Sequence, residues 1–295
     1  SASLAAMLPQ PSFYLKNIDA LTSRRNTVLR LMREQGYISE EERSMAASSS
    51  LVFDRARGIV NAPHFVVRVT NELNDQFGER VVDTSGYKVI TTLDFDKQLI
   101  AEKIVKELGD TFVKEARANN AALVSIDPKT GQILTLVGSR DFYNKDINGQ
   151  YDIISQGRRQ PGSSLKPFVY LAAFERGFTP ETVLYDVNTD FDLRAGVNGV
   201  VHNANRKEYG LITMRSALQG SLNIPAEKTM YLVGSKETHD FLGRFGYSPF
   251  QEDLGLSLVL GGGVVNPLEH AAAYAALANN GGYFKPVSIL KVENE

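Results

Sequence analysis

Apolar residues recur at helical spacing within the first 45 residues, where they alternate with arginines. The positions concerned are Leu21, Val28, Leu29, Leu31 and Met32, interleaved with Arg24, Arg25, Arg30 and Arg33. This pattern predicts an amphipathic helix that ends at Gly36, with the arginines on a solvated face or against anionic lipid or glycan. Ser39, followed by three glutamates, predicts the start of a second helix. The small residues 46–50 predict a linker.

The segment from residue 62 onward predicts a small mixed module followed by a hairpin. The elements of the module are a helix around 65–77, a strand at 87–92 and a helix over 96–108. The cap of the last helix is Asp94 or Asp96. Two β-rich apolar runs, 122–126 and 133–137, are joined by a segment with proline and glycine, so we expect an antiparallel hairpin with a tight turn.

The chain becomes mostly helical from residue 161. Helices are predicted at 165–175, 214–218, 226–233, 239–245 and 268–278, and a last strand at 287–292. A hairpin, then a cluster of helices, then a strand is typical of the α+β class, in which helices pack against a sheet.

The composition, 43% hydrophobic and 22% charged, is typical of a globular protein, and 295 residues predict about two domains. The net charge of −2 gives no broad positive field, so no nucleic-acid partner is expected. The absence of cysteine excludes disulfides and thiol chemistry, and the four histidines lack paired metal-ligand spacing. We therefore expect neither metal nor cofactor. The longest uncharged apolar stretch, 254–268, is too short and interrupted to span a bilayer.

Three copies of the pattern Ser-x-x-Lys are candidates for an activated serine. They are Ser85 with Lys88, Ser163 with Lys166, and Ser288 with Lys291. Residues three apart lie on one face of a helix but on opposite faces of a strand. The first and third copies lie in strand-like contexts, so only the second is expected to place its lysine beside its serine.

Ser163 lies at the expected start of a helix, directly after Pro161 and Gly162. Unpaired N–H groups at such a position favour developing negative charge. Lys166 is the only charged residue between 163 and 173, so its burial would lower its pKa and let its amine accept the serine proton. The alternative is a helix cap with a lysine whose ammonium reaches solvent.

Ser221-Leu222-Asn223 is the only Ser-x-Asn sequence in the chain. Together with an upstream Ser-x-x-Lys it matches the signature of penicillin-binding proteins and serine β-lactamases. The segments 157–167 and 212–226 resemble the corresponding parts of the transpeptidase domain of class A, bifunctional penicillin-binding proteins. Further segments that resemble this family, in the same order, are 8–12 and 24–32 (the tail of its glycosyltransferase domain), 87–94, 127–131, 260–262, 266–269 and 273–281.

Lys129-Thr130-Gly131 matches the family's third motif by letter, but it precedes Ser163 and lies in the predicted hairpin turn. We interpret it as turn chemistry. The true motif is expected beyond Glu295, and the glycosyltransferase's catalytic glutamates upstream of Ser1, so the chain alone is expected to be inactive. Asn203 and Asn205 are candidates for lining the cleft, with a turn as the alternative.

The resemblance implies a serine β-lactamase/D,D-transpeptidase-like fold, a sheet with a helical cluster, preceded by a short helical segment and a small linker module. It implies a glycosyltransferase tail at 1–45, a linker module at 46–115 and an incomplete transpeptidase domain at 116–295. It also implies an extracytoplasmic location with an upstream anchor. The implied partners are peptidoglycan stem peptides, glycan strands and β-lactams, with cell-wall assembly proteins as further candidates.

The implied reaction is a two-step acyl transfer on a stem peptide that ends in D-Ala-D-Ala. Ser163 attacks the penultimate carbonyl, Lys166 accepts its proton, and Ser221 relays a proton to the leaving D-Ala. Asn223 binds the peptide amide. Two alternatives stay open: a D,D-carboxypeptidase or β-lactamase that uses water as the acceptor, and a non-catalytic penicillin-binding-like sensor or scaffold.

Overall fold

The computed structural model describes residues 2–51, 60–115, 118–190, 200–250 and 254–294. The chain divides into two compact units, Ser1–Ile59 and Val60–Glu295. Within the described ranges, every helix is too short or too polar to cross a membrane.

The described part of the first unit is helical. Its helices are α1 (Ala2–Met7), α2 (Pro11–Lys16), α3 (Ile18–Glu34) and α4 (Glu40–Ser48). The predicted start of α4 is confirmed, because the Ser39 hydroxyl accepts a hydrogen bond from Glu42 N and the Glu42 carboxylate accepts one from Ser39 N. The predicted end of α3 is also confirmed, since the helix stops just before Gly36, whose φ is +78°.

Two expectations for this unit are wrong. Helix α4 continues through Ser48, so residues 46–48 are helical and do not form a linker. Arg25 does not lie on a solvated face, since it is only 4% exposed and donates hydrogen bonds to Ala47 O and Ser49 O, each at 2.7 Å. Its guanidinium thereby pairs carbonyl groups that the end of α4 would otherwise leave unpaired.

The second unit begins with a helix pair, a strand and a long helix. They are α5 (Pro63–Phe77), α6 (Glu79–Thr84), β1 (Lys88–Thr91) and α7 (Phe95–Glu115). Only α6 was not predicted. Asp94 is the cap of α7, because its carboxylate accepts a hydrogen bond from Lys97 N at 3.1 Å. The strand-like context predicted for Ser85 is wrong, since this residue terminates α6.

The described strands of this unit form three antiparallel pairs. As predicted, β2 (Leu123–Ile126) and β3 (Ile133–Val137) form a hairpin. Strand β1 pairs with the last strand, which is labelled β6 (Ile289–Glu293). The third pair, β4 (Val183–Asp186) with β5 (Gly210–Thr213), was not predicted.

Residues 127–131 form the predicted turn between β2 and β3. The Asp127 carboxylate accepts hydrogen bonds from Lys129 N at 3.0 Å and from Thr130 Oγ1 at 2.8 Å. Gly131 has a φ of +75°, which glycine adopts without strain. Lys129-Thr130-Gly131, which match the third motif by letter, therefore form part of this turn.

The helices after the hairpin enclose the larger hydrophobic core. They are α8 (Lys166–Glu175), α9 (Met214–Gln219), α10 (Asn223–Val233), α11 (Ser235–Arg244) and α12 (Pro267–Ala278). Phe168, Met214 and Met230 are completely buried in this core. Burying a side chain of this size contributes about 1.5–3 kcal/mol to stability, so the core fixes α8 against α10. The combination of helices and antiparallel strands confirms the α+β class.

Candidate active site

Ser163 is the exposed residue of a 3₁₀ turn, Gly162–Leu165, that leads directly into α8. Gly162 has a φ of +56°, which glycine adopts without strain and which bends the chain sharply before the serine. Gly261 packs so closely against this bend that a Cβ on it would lie 2.3 Å from Gly162 N. Two glycines are therefore needed to present Ser163 at the surface.

Lys166 is the first residue of α8, and its side chain is completely buried. Its Nζ donates hydrogen bonds to Ser221 O and Asn223 Oδ1, each at 2.7 Å, and to Ser221 Oγ at 3.4 Å. Burial lowers the pKa of Lys166 from 10.5 to about 8. The structure thus brings three of the four predicted site residues together around one ammonium group, and the fourth, Ser163, precedes Lys166 by one helical turn.

Ser221 adopts a left-handed backbone conformation, with φ at +50°, between α9 and α10. Such a conformation costs a residue other than glycine about 1–2 kcal/mol, so surrounding contacts must hold it. A backbone hydrogen bond from Ser221 N to Leu218 O at 3.0 Å and the bond from Lys166 to Ser221 O do so. The resulting turn brings both Ser221 and Asn223 to the Lys166 ammonium.

A buried polar network anchors the start of α10. Asn203 Oδ1 accepts hydrogen bonds from Asn223 N at 2.8 Å and from Ile224 N at 3.3 Å. Asn203 Nδ2 donates to both carboxylate oxygens of Asp186, at 2.8 and 2.9 Å, and Tyr209 N donates to the same carboxylate at 2.9 Å. Asp186 is completely buried, so its charge orients Asn203, which in turn caps α10.

Asn203 is only 2% exposed, so it supports the start of α10 from the protein interior and does not line a cleft. Asn205 lies in a turn, the alternative stated above, because its Oδ1 accepts a hydrogen bond from Lys207 N at 3.0 Å. Asn223 Nδ2 donates to His202 O at 2.9 Å. That bond fixes the amide so that its oxygen faces Lys166.

The other two Ser-x-x-Lys copies have different surroundings. The Ser85 hydroxyl donates to Val81 O at 2.5 Å, within the helix that it terminates. Ser288 is 1% exposed, and its Oγ accepts a hydrogen bond from Arg68 Nε at 2.8 Å and donates one to Glu72 at 3.1 Å. Both hydroxyls are therefore paired with groups other than the lysine of their own pattern.

Among the residues that the structure describes, no group of three or more histidine, aspartate or glutamate side chains is arranged to hold a metal ion. Two of the histidines have specific partners. His64 Nε2 lies 2.8 Å from Gly149 O. His270 lies between Ser164 and Tyr247, next to the turn Gly162–Leu165. Sequence reasoning missed this position because a single histidine carries no spacing signal.

Comparison with known proteins gives the same picture as the geometry. The profile of the family described as the penicillin binding protein transpeptidase domain matches residues 121–294. This range is more than half of the 295 residues and contains the whole candidate site.

Individual relatives also have names of this kind. Penicillin-binding protein 2D of Bacillus subtilis is 32% identical over 307 residues, which cover 99% of this chain and 42% of the relative. Penicillin-binding protein 1A of Neisseria cinerea is 39% identical over 166 residues, 55% of this chain and 20% of the relative. The crystal structure of penicillin-binding protein 1A from Haemophilus influenzae superposes with a TM-score of 0.84 at 25% identity, covering 99% of this chain and 57% of that one.

These matches confirm the resemblance found in the sequence and the fold that it implied. The chain spans 42% of the length of the Bacillus relative. A family profile over most of the second unit, and a solved structure that superposes over nearly the whole chain, lead to one conclusion. The chain belongs to the penicillin-binding protein transpeptidase family.

Proposed function

We propose that this chain carries the serine acyl-transfer site of a peptidoglycan D,D-transpeptidase. The observation that carries the proposal is the buried Lys166, which donates hydrogen bonds to Ser221 and Asn223. Burial lowers the pKa of this lysine to about 8. Such a lysine keeps a neutral fraction near neutral pH that can accept a proton. Family membership supports the substrate class, peptidoglycan stem peptides, and β-lactams as inhibitors.

In the first step, Ser163 Oγ attacks the carbonyl carbon of the penultimate D-Ala of a stem peptide. The neutral amine of Lys166 takes the hydroxyl proton as the new C–O bond forms. The backbone N–H of Ser163 is one proposed donor to the oxyanion. The C–N bond then breaks, Ser221 relays the proton from Lys166 to the leaving D-Ala amine, and an ester remains on Ser163.

In the second step, the amine of another stem peptide attacks this ester and loses a proton to Lys166 through Ser221. The new C–N bond forms the cross-link, the C–O bond to Ser163 breaks, and Lys166 returns a proton to Ser163 Oγ, which restores the serine and the neutral lysine. Asn223 is proposed to bind the peptide amide of the substrate. Its oxygen has two lone pairs and its nitrogen two protons, so each can form one more hydrogen bond besides those to Lys166 and to His202 O.

Features of the whole protein are proposals as well, because the chain spans 42% of the Bacillus relative. We assign 1–45 to the tail of a glycosyltransferase domain, 46–115 to a linker module and 116–295 to the transpeptidase domain. We place the protein outside the cytoplasm, anchored by an upstream segment, where glycan strands and cell-wall assembly proteins would be its partners. The names of the relatives, which are penicillin-binding proteins, support this placement.

Labelling of the full-length protein with a fluorescent penicillin tests the proposal. Ser163→Ala is expected to abolish labelling, because it removes the oxygen that forms the ester. Ser85→Ala and Ser288→Ala are matched controls from the same sequence pattern, and both are expected to label like the wild type. Labelling that persists in Ser163→Ala would contradict the assignment.

Hydrolysis shares the acylation step with transpeptidation, so a second assay must follow the acyl acceptor. The full-length protein is incubated with a stem pentapeptide, with and without a free acceptor amine. A new peptide bond to the amine supports transpeptidation. Release of the tetrapeptide acid alone, with the amine present, would contradict it and favour a carboxypeptidase or β-lactamase activity.

A further inference from the structure

We propose that α12 positions the nucleophile turn, defined as Gly162–Leu165, through a hydrogen-bonded clamp on Ser164, the residue that follows the proposed nucleophile Ser163. The proposal rests on the proposed function, because it concerns the geometry with which Ser163 attacks. We define the clamp as His270 and Tyr274, one helical turn apart on α12, together with Tyr247. These three are positioning residues that act through Ser164.

The clamp holds Ser164 by its side chain and by its backbone. His270 Nε2 lies 2.9 Å from Ser164 Oγ, and Tyr274 Oη donates a hydrogen bond to Ser164 O at 2.6 Å. The Ser164 hydroxyl itself donates to Pro161 O at 2.5 Å. Ser164 is therefore tied both to α12 and to Pro161 on the other side of Ser163, which fixes the bend that carries Ser163.

The direction of each hydrogen bond follows from the number of protons available. The Ser164 hydroxyl donates its one proton in the hydrogen bond to Pro161 O, so its oxygen must accept a hydrogen bond from His270. Nε2 therefore carries the ring proton, and Nδ1 accepts a hydrogen bond from Tyr247 Oη at 2.6 Å. Burial lowers the pKa of His270 and raises that of Tyr247, which keeps the ring neutral and the phenol protonated.

Phe168 packs the clamp against the helix that carries Lys166. Its ring centroid lies 5.7 Å from that of Tyr247, 6.3 Å from that of His270 and 5.3 Å from that of Tyr274. Phe168 is completely buried on α8, two residues after Lys166. One cluster of rings therefore sets the nucleophile turn relative to the lysine.

A displacement of about 1 Å in a reacting group can slow a reaction roughly 100-fold. Loss of the clamp is therefore expected to slow acylation strongly while it changes noncovalent binding of a β-lactam little. This separation distinguishes a positioning role from a loss of the binding site.

Two variants of His270 in the full-length protein provide the test. Gln places an amide N–H near the position of Nε2, whereas Asn reaches only the position of Nδ1, so Gln alone keeps the donor to Ser164. We expect His270→Asn to slow acylation by a fluorescent penicillin ~10- to 100-fold, with the dissociation constant of the complex before acylation changed less than about threefold. His270→Gln is expected to restore most of the rate.

Ser164→Ala keeps the test valid should His270→Asn fail to fold, because it removes a single oxygen from the same hydrogen bond. It is expected to slow acylation to a similar extent, and the double variant is expected to be no slower than either single variant. Nitrogen-15 NMR of His270 is expected to show the Nε2-protonated tautomer.

The clamp would be overturned if wild type and His270→Asn acylated at equal rates, or if the Gln and Asn variants lost the same rate. Additive effects in the double variant, or the opposite tautomer of His270, would also overturn it. Failure of the proposed function would differ, because the wild type would then show no labelling that depends on Ser163.

Discussion

The lowered pKa of Lys166 predicts how acylation depends on pH. Burial lowers this pKa from 10.5 to about 8. Where the neutral amine accepts the serine proton, the rate follows the neutral fraction, which rises about tenfold per pH unit below the pKa and then levels off. At pH 7 the neutral fraction is about 10%, against about 0.03% for an ordinary lysine, a gain of roughly 300-fold.

The partners of Lys166 explain why its pKa stays low and how it can be moved. The ammonium donates to uncharged oxygens, Ser221 O and Asn223 Oδ1, each at 2.7 Å. These oxygens satisfy its protons without the attraction of a full negative charge. Asn223→Asp keeps the shape of the side chain but adds that charge. A carboxylate this close is expected to raise the pKa of Lys166 by about 1–3 units, to a value between about 9 and 11.

The assay is the second-order rate constant for acylation by a fluorescent penicillin in the full-length protein, measured between about pH 6 and pH 10.5 around the expected pKa values. The wild-type profile is expected to level off near pH 8, and the Asn223→Asp profile at a higher pH, whatever its maximal rate. Lys166→Arg is the control, since arginine keeps the charge but cannot give up its proton, and it is expected to acylate negligibly at every pH. A flat or falling wild-type profile below pH 8, or an unchanged midpoint in Asn223→Asp, would refute the reasoning.

Two further predictions concern residues that support the site. Asn203→Ala removes the acceptor for two backbone N–H groups and leaves the buried Asp186 carboxylate with fewer donors. The free energy of unfolding, measured by urea denaturation, is therefore expected to fall by about 2–4 kcal/mol. Asn205→Ala, at an exposed turn, is its control, with an expected change of about 0.5 kcal/mol or less, and equal effects would contradict the anchoring role. Gly261→Ala would place a Cβ 2.3 Å from Gly162 N and is expected to slow acylation about 100-fold. Gly281→Ala shares the positive φ but meets nothing within 4 Å, so it is expected to acylate like the wild type, and a normal rate in Gly261→Ala would show that the close packing is unimportant.

Local sequence signals predicted most of the fold, because each acts within a few residues. Ser39 with Glu42, and the turn at 127–131, are examples in which cap and turn chemistry appear directly in the chain. The β4–β5 pair escaped prediction because β4 has four residues and buries Leu184 and Asp186 on the same face. A buried aspartate breaks the apolar alternation by which a strand is recognised.

The candidate site was predicted in part for the same reason. Ser163 and Lys166 stand one helical turn apart, so their proximity follows from spacing alone. The approach of Lys166 to Asn223, 57 residues later, depended on a family resemblance. The contact of His270 with Ser164 spans 106 residues and had no signal at all. Hydrogen bonds between distant segments depend on which helices pack together, and apolar periodicity shows which face of a helix is packed but not its partner.

Peptide mapping by mass spectrometry tests the central claim, acylation of Ser163, most directly. The full-length protein is treated with a β-lactam, digested and compared with the Ser163→Ala variant treated in the same way. The predicted result is one covalent adduct on the peptide that contains Ser163, which is absent from the variant. An adduct on a peptide that contains Ser85 or Ser288, or no adduct on the wild type, would contradict the claim.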